Sequence, residues 1–173
     1  MYWLDDVSFI AHPNTGSRSL KKFINTTKGA KTINDQHGIC LDTIKESRAV
    51  TCVIRNPYDL LASFYWRMKS KPDFHKWLHN TLRQEIGHED PDQVGGGMFY
   101  GLPYATHVIR FETLQEDYDR VFKQLRLPPM KLERIGACRY RTSEDYRDLY
   151  DYESMALVKA KYGDLMSRLR YKF

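Results

Sequence analysis

Ala49-Val50-Thr51-Cys52-Val53-Ile54-Arg55-Asn56-Pro57-Tyr58-Asp59-Leu60-Leu61-Ala62-Ser63 is the stretch whose reading decides the fold. Its first six residues are small or β-branched and almost wholly apolar, which suits a strand buried on both faces inside a parallel sheet. Asn56-Pro57 then opens a helix. Asn suits the N-cap, and Pro, with its fixed φ and missing N–H, suits the first helical position. Asp59 falls at the third position, where a carboxylate answers the exposed amides and the helix dipole. Leu60, Leu61, Phe64 and Met68 provide an apolar stripe. Arg55 sits at the joint between strand and helix.

Upstream, Val7 to Ala11 reads as a second buried strand, followed by the turn-rich His12-Pro13-Asn14-Thr15-Gly16-Ser17 and a helix beginning near Ser19. Lys31 to Asn34 is a weak strand and Leu41 to Glu46 a short helix. Downstream, Pro72 to Ile86 has helical periodicity, and residues 87–104, with Gly95-Gly96-Gly97, form a long loop of the kind that serves as a lid or binding segment. Thr106 to Phe111 is a further strand, Leu114 to Leu125 a helix stopped by Pro128-Pro129, and residues 130–142 an irregular basic run. A last helix spans Glu153 to Leu169, with Asp151 as its cap. Strands alternating with helices predict a compact α/β domain over residues 1–173, a parallel sheet flanked by helices. In such sheets ligands lie outside the carboxyl ends of the strands. Two segments have that position: the loop after Ala11 and the turn after Ile54.

The chain has 173 residues, 42% hydrophobic and 28% charged, an ordinary globular composition. No apolar run approaches the roughly 20 residues needed to cross a bilayer, so no membrane association is expected. Met1-Tyr2-Trp3-Leu4-Asp5-Asp6 does not resemble a secretory leader, and if the chain is complete its expected location is cytoplasmic. Three cysteines, Cys40, Cys52 and Cys138, without a Cys-x-x-Cys pair, speak against a disulfide framework and a structural zinc site. The 27 basic and 22 acidic residues leave a charge of +5. That surplus fits an anionic ligand, and it also fits nucleic acid or a merely solvated surface. No RNA-binding aromatic motif or zinc-finger spacing accompanies it, so nucleic acid is the weaker reading.

Thr15, Gly16, Ser17 and Ser19 are small or hydroxylic, as needed where a strand–turn–helix aims backbone amides at one anion, and Arg18 brings a formal charge to the same place. An ordinary turn is the competing reading. The loop lacks the Gly-x-x-x-x-Gly-Lys-Ser/Thr spacing of a nucleoside triphosphatase. Arg55 offers a planar charged fork and Ser63, on the same helix face as Asn56, a neutral donor. The competing reading pairs Arg55 with an acidic neighbour.

Val53-Ile54-Arg55-Asn56-Pro57-Tyr58-Asp59-Leu60-Leu61-Ala62-Ser63 resembles the 3′-phosphate-binding motif of sulfotransferases that use 3′-phosphoadenosine 5′-phosphosulfate (PAPS): a strand ending in Arg, then x-Pro, an acidic residue and a spaced Ser. Ile10-Ala11-His12-Pro13-Asn14-Thr15-Gly16-Ser17-Arg18-Ser19-Leu20 resembles that family's 5′-phosphosulfate loop. Val108 to Leu114 is similar to its late strand and acidic turn, and Tyr152 to Phe173 to the closing helix of its carbohydrate-specific branch. The resemblance implies a P-loop-type sulfotransferase fold in a compact version and PAPS as co-substrate without a metal. The acceptor would be a hydroxyl on a small molecule or a glycan. It implies that Pro13, Asn14, Thr15, Gly16, Ser17, Arg18 and Ser19 cradle the 5′-phosphosulfate, that Arg55 and Ser63 grip the 3′-phosphate, and that Arg141, within Arg139-Tyr140-Arg141-Thr142, closes over the nucleotide. His37, followed by Gly38, is the candidate base, since an imidazole accepts a proton near neutrality. His12 is the second choice, and Glu46, Asp35 and His107 are further candidates. The family's loop Lys is Asn14 here, uncharged. Arg18 is the candidate substitute cation, with Lys21 and Lys22 behind it. The alternative reading is a catalytically weak or inactive relative that binds PAPS or its product.

Overall fold

The structure, a computed structural model, describes residues 1–34, 39–68, 72–86 (side chains of 84–86 excepted), 99–133, 135, 141–143 and 145–173. The chain forms two compact units, Met1–Ile54 with Pro91–Gly136, and Arg55–Asp90 with Ala137–Phe173.

The first unit is built on a five-stranded sheet: β1 (Tyr2–Leu4), β2 (Val7–Ala11), β3 (Lys31–Thr32), β4 (Ala49–Ile54) and β5 (His107–Arg110), in the order β3-β1-β2-β4-β5. β2 and β4 pair in parallel, with Ala11 opposite Val53, and β4 and β5 pair in parallel, with Ile54 opposite Arg110. The expected all-parallel sheet is corrected at β1, which runs antiparallel to both β2 and β3. The physical reason lies in two residues. Asp5 and Asp6 both adopt left-handed backbone, φ 47° and 61°, and a two-residue turn of that kind can only fold the next strand back on its predecessor. Its cue was an Asp-Asp pair between apolar residues.

Two helices cover one face of this sheet. Helix α1 (Ser17–Thr26) packs on β1 and β3, and helix α5 (Leu114–Gln124) on β5. Val7, Phe9, Ala11, Ala49 and Val53 point to that face, at alternating positions as a pleated strand requires. They meet Leu20, Ile24, Tyr118, Val121 and Phe122, with the Phe9 and Phe122 rings 5.5 Å apart. Ile10 and Cys52 on the opposite face are also buried, which is why β2 and β4 read as continuous apolar runs. A short helix α2 (Leu41–Glu46) precedes β4. The Cys52 thiol is fully buried, and that burial pushes its pKa up to about 12, so it stays protonated and behaves as a small hydrophobe.

The second unit is helical: α3 (Pro57–Trp66), α4 (Phe74–Ile86) and α6 (Tyr152–Arg168), with a 3-10 turn over Tyr146–Leu149. Helix α3 starts as its sequence predicts, the Asn56 side chain accepting from the Tyr58 amide at 3.0 Å with Pro57 next. It is buried nearly all round rather than along one stripe: Tyr58, Leu60, Leu61, Tyr65 and Trp66 are enclosed, whereas Phe64 is half-buried and Met68 lies beyond the helix end. An aromatic cluster holds this unit. The Tyr58 and Phe173 rings are 4.8 Å apart, Phe74 and Tyr150 4.9 Å, and Tyr65 and Phe74 5.0 Å. The Tyr150 hydroxyl donates to the Tyr58 carbonyl at 2.8 Å. Asp151 caps α6 through the Ser154 amide at 2.7 Å. No helix among the described residues is long and apolar enough to cross a membrane.

Candidate functional site

Topology points to one end of the sheet. After β2 the chain turns toward β1 and β3, and after β4 it proceeds to β5, so the path reverses between two neighbouring parallel strands. Crevices at such reversals, outside the carboxyl ends of the strands, are where α/β sheets bind ligands. β2 ends at Ala11 opposite Val53, so β2 and β4 end on the same side of the sheet.

The loop after β2 is tightly built. Asn14 has φ 61° and Gly16 φ 81°, both left-handed. Asn is one of the few side chains that tolerate this region, which gives a backbone reason for Asn14. At Gly16 an added Cβ would lie 2.7 Å from Leu114 Cδ2. The Thr15 hydroxyl donates to the His12 carbonyl at 2.6 Å and the Thr15 amide to the same oxygen at 3.3 Å. The Ser19 hydroxyl donates to the Glu133 carbonyl at 2.6 Å. Thr15, Ser17 and Ser19 are buried, Pro13, Asn14 and Gly16 half-buried, and Arg18 exposed. Two of the three hydroxyls are therefore engaged within the protein, and the Ser19 and Leu20 amides donate to the Gly16 carbonyl at 3.0 and 3.2 Å.

The electrostatics of that helix start are unusual within this protein. Gly16 is its N-cap, no side chain caps it and no acid stands in its first turn. Arg18 stands there instead, at the positive end of the helix dipole, and Lys21 and Lys22 follow in the second turn, Lys22 paired with the Glu133 carboxylate. Helices α2, α3, α5 and α6 all carry an acid in the first turn (Asp42, Asp59, Glu116 with Asp117, and Glu153). At α4 the carboxylate of Asp73 accepts from the Lys76 amide at 3.0 Å. A cation in the first turn costs about 0.3–1 kcal/mol, a cost that an anion seated on the loop would reverse.

In the second unit, Arg55 is buried and its Nε donates to Asp59 Oδ2 at 2.8 Å, one helical turn on. The pairing that competed with a ligand role is thus present, and it occupies one of the five N–H groups of the guanidinium. Asp59 Oδ1 is buried without a hydrogen-bond partner. Ser63 is buried on α3. The guanidinium of Arg141 lies 4.7 Å over the Trp66 ring, and its Nε donates to the Ser143 carbonyl at 2.6 Å.

The candidate bases fall differently. His37, Gly38 and Asp35 lie outside the described residues, as do Arg139, Tyr140 and residues 87–98. His12 is 1% exposed, its Nε2 is 3.4 Å from Cys52 Sγ, and its ring stands 4.4 Å from that of Tyr100 in an edge-on contact; it packs. His107 opens β5 opposite Thr51, at the amino end of the sheet and away from the loop. Burial, with Arg120 adding to it, holds its imidazole below the ordinary value. Glu46 ends α2 just before β4, also at the amino end. Among the described residues no cluster of metal-ligating side chains is present. Leu114, Gln115 and Glu133, which brace the loop, lie about a hundred residues from it, and no local sequence pattern marks them. No protein-family model matches the chain, and no curated protein matches it.

Proposed function

We propose that the chain binds PAPS and transfers its sulfuryl group to a hydroxyl acceptor. The observation that carries this reading is the start of α1, where left-handed Gly16 opens a helix that has no side-chain cap and no acid in its first turn, with Arg18 in that turn; an anionic group suits such a place. The loop from Pro13 to Ser19 would take the 5′-phosphosulfate, and Arg55 with Ser63 the 3′-phosphate. In the reaction the acceptor oxygen attacks sulfur, the bond from sulfur to the bridging phosphate oxygen breaks, and adenosine 3′,5′-bisphosphate leaves. The acceptor proton passes to His37. Positive charge on the departing phosphate, from Arg18 and the helix start, lowers the barrier.

The experiment is transfer of labelled sulfuryl from PAPS to a panel of hydroxyl acceptors, small molecules and glycans, by the wild type and by His37→Ala. The expected result is product from the wild type and a loss of at least about 100-fold in His37→Ala, with bisphosphate affinity unchanged. Full turnover in the variant removes His37 from the role of base. A second reading has its own support. Asn14 is uncharged where the resembling family has Lys, and such a contact is worth about 3 kcal/mol in the transition state. Tight bisphosphate binding with no product on any acceptor would favour this binding-only reading.

A further inference from the structure

We infer that Ser19 and Gln115 are positioning residues of the donor loop, acting through a strap over Met130–Glu133, and that the Ser19 side chain does not contact the anion. This rests on the reading of the β2–α1 loop as the anion site. A serine hydroxyl has one hydrogen to donate, and Ser19 directs it at the Glu133 carbonyl, 2.6 Å away, from a buried position. The strap is gripped from a second side by Gln115 in the first turn of α5. Gln115 Nε2 donates to the Met130 carbonyl at 2.7 Å, and its Oε1 accepts from the Leu132 amide at 2.8 Å. Nε2 also donates to Asp119 Oδ1 at 2.8 Å, which fixes the amide orientation. The Lys22 ammonium reaches the Glu133 carboxylate as well, in an exposed pair. Leu114, the neighbour of Gln115, stands against Gly16. The start of α5 thus braces the loop directly through Leu114 and indirectly through the strap and Ser19. A loop held in this way meets its anion already ordered, and a ligand that finds a preordered site binds more tightly.

The test uses the intact chain with Ser19→Ala, Ser19→Thr and Gln115→Leu. Two quantities are read: hydrogen exchange at the Leu132 and Glu133 amides without ligand, and affinity for adenosine 3′,5′-bisphosphate. Ser19→Ala and Gln115→Leu are expected to speed exchange in the strap by about tenfold and to weaken the bisphosphate by a similar, modest factor of about three to five. Ser19→Thr, which keeps the hydroxyl, is expected to restore both. A loss above about 20-fold in Ser19→Ala, of the size of a charged hydrogen bond, with Gln115→Leu unchanged, would overturn the inference and make Ser19 a direct contact. Unchanged exchange in both variants would overturn it equally. If the wild type binds no bisphosphate, the donor-site reading fails, and exchange in the ligand-free variants still decides whether Ser19 and Gln115 hold the strap.

Discussion

Arg55→Ala is expected to weaken adenosine 3′,5′-bisphosphate binding by about 2 kcal/mol or more, some 30-fold, as the role proposed for Arg55 on the 3′-phosphate requires. Binding of 5′-AMP, which has no 3′-phosphate, would change little. The same substitution is also expected to destabilise the fold. Arg55 Nε is the cation on Asp59 Oδ2, and Asp59 Oδ1 is already buried without a hydrogen bond. Removing one member of an enclosed pair leaves the other uncompensated, at a cost of about 3 kcal/mol. The double variant Arg55→Ala/Asp59→Ala separates the effects: unfolding in denaturant should show stability recovered, while calorimetry should show affinity still lost. Recovery of affinity along with stability would mean that Arg55 serves only its carboxylate.

The second large effect belongs to Gly16. Its φ of 81° is costly for any residue with a Cβ, about 1–2 kcal/mol for Ala. The added methyl also meets Leu114 Cδ2 at 2.7 Å, the end of a side chain that can turn aside. Gly16→Ala is therefore expected to cost about 2 kcal/mol of stability, mostly as backbone strain, and at least about tenfold in bisphosphate affinity as the amides at the helix start are redirected. Gly16→Asn distinguishes the causes. Asn is larger than Ala yet tolerates left-handed backbone, so its melting temperature should lie above that of Gly16→Ala. The reverse order would show that contact with Leu114 dominates.

What the sequence disclosed followed from how local each determinant is. Strands β2 and β4 and helix α2 stand where their residues predict, and the other helices within about two residues, because burial on both faces and the caps Asn56 and Asp151 are written in adjacent residues. Strand β1 was not legible as one: three residues carry too short an alternation, and its place depends on Asp5 and Asp6 adopting positive φ. The loop from Pro13 to Ser19 was legible as a turn of small residues before a helix. Its bracing was not, since Ser19 to Glu133 and Gly16 to Leu114 are contacts between distant parts of the chain. Arg55 was legible as a cation at the end of a strand, and its partner Asp59 was visible only as a helix-start acid. His12 shows the opposite limit. Beside the loop in sequence it qualified as a base, and its enclosure against Cys52 and Tyr100 depends on strand β4 and a turn near residue 100.

The proposed ligand is a nucleotide bearing both a 3′- and a 5′-phosphate. The most direct measurement is calorimetric titration of the intact protein with adenosine 3′,5′-bisphosphate beside 5′-AMP and ATP. Binding of the bisphosphate at least about 30-fold tighter than either competitor, the worth of one charged contact, is the predicted result. Equal affinity for all three, or binding of none, would contradict the claim.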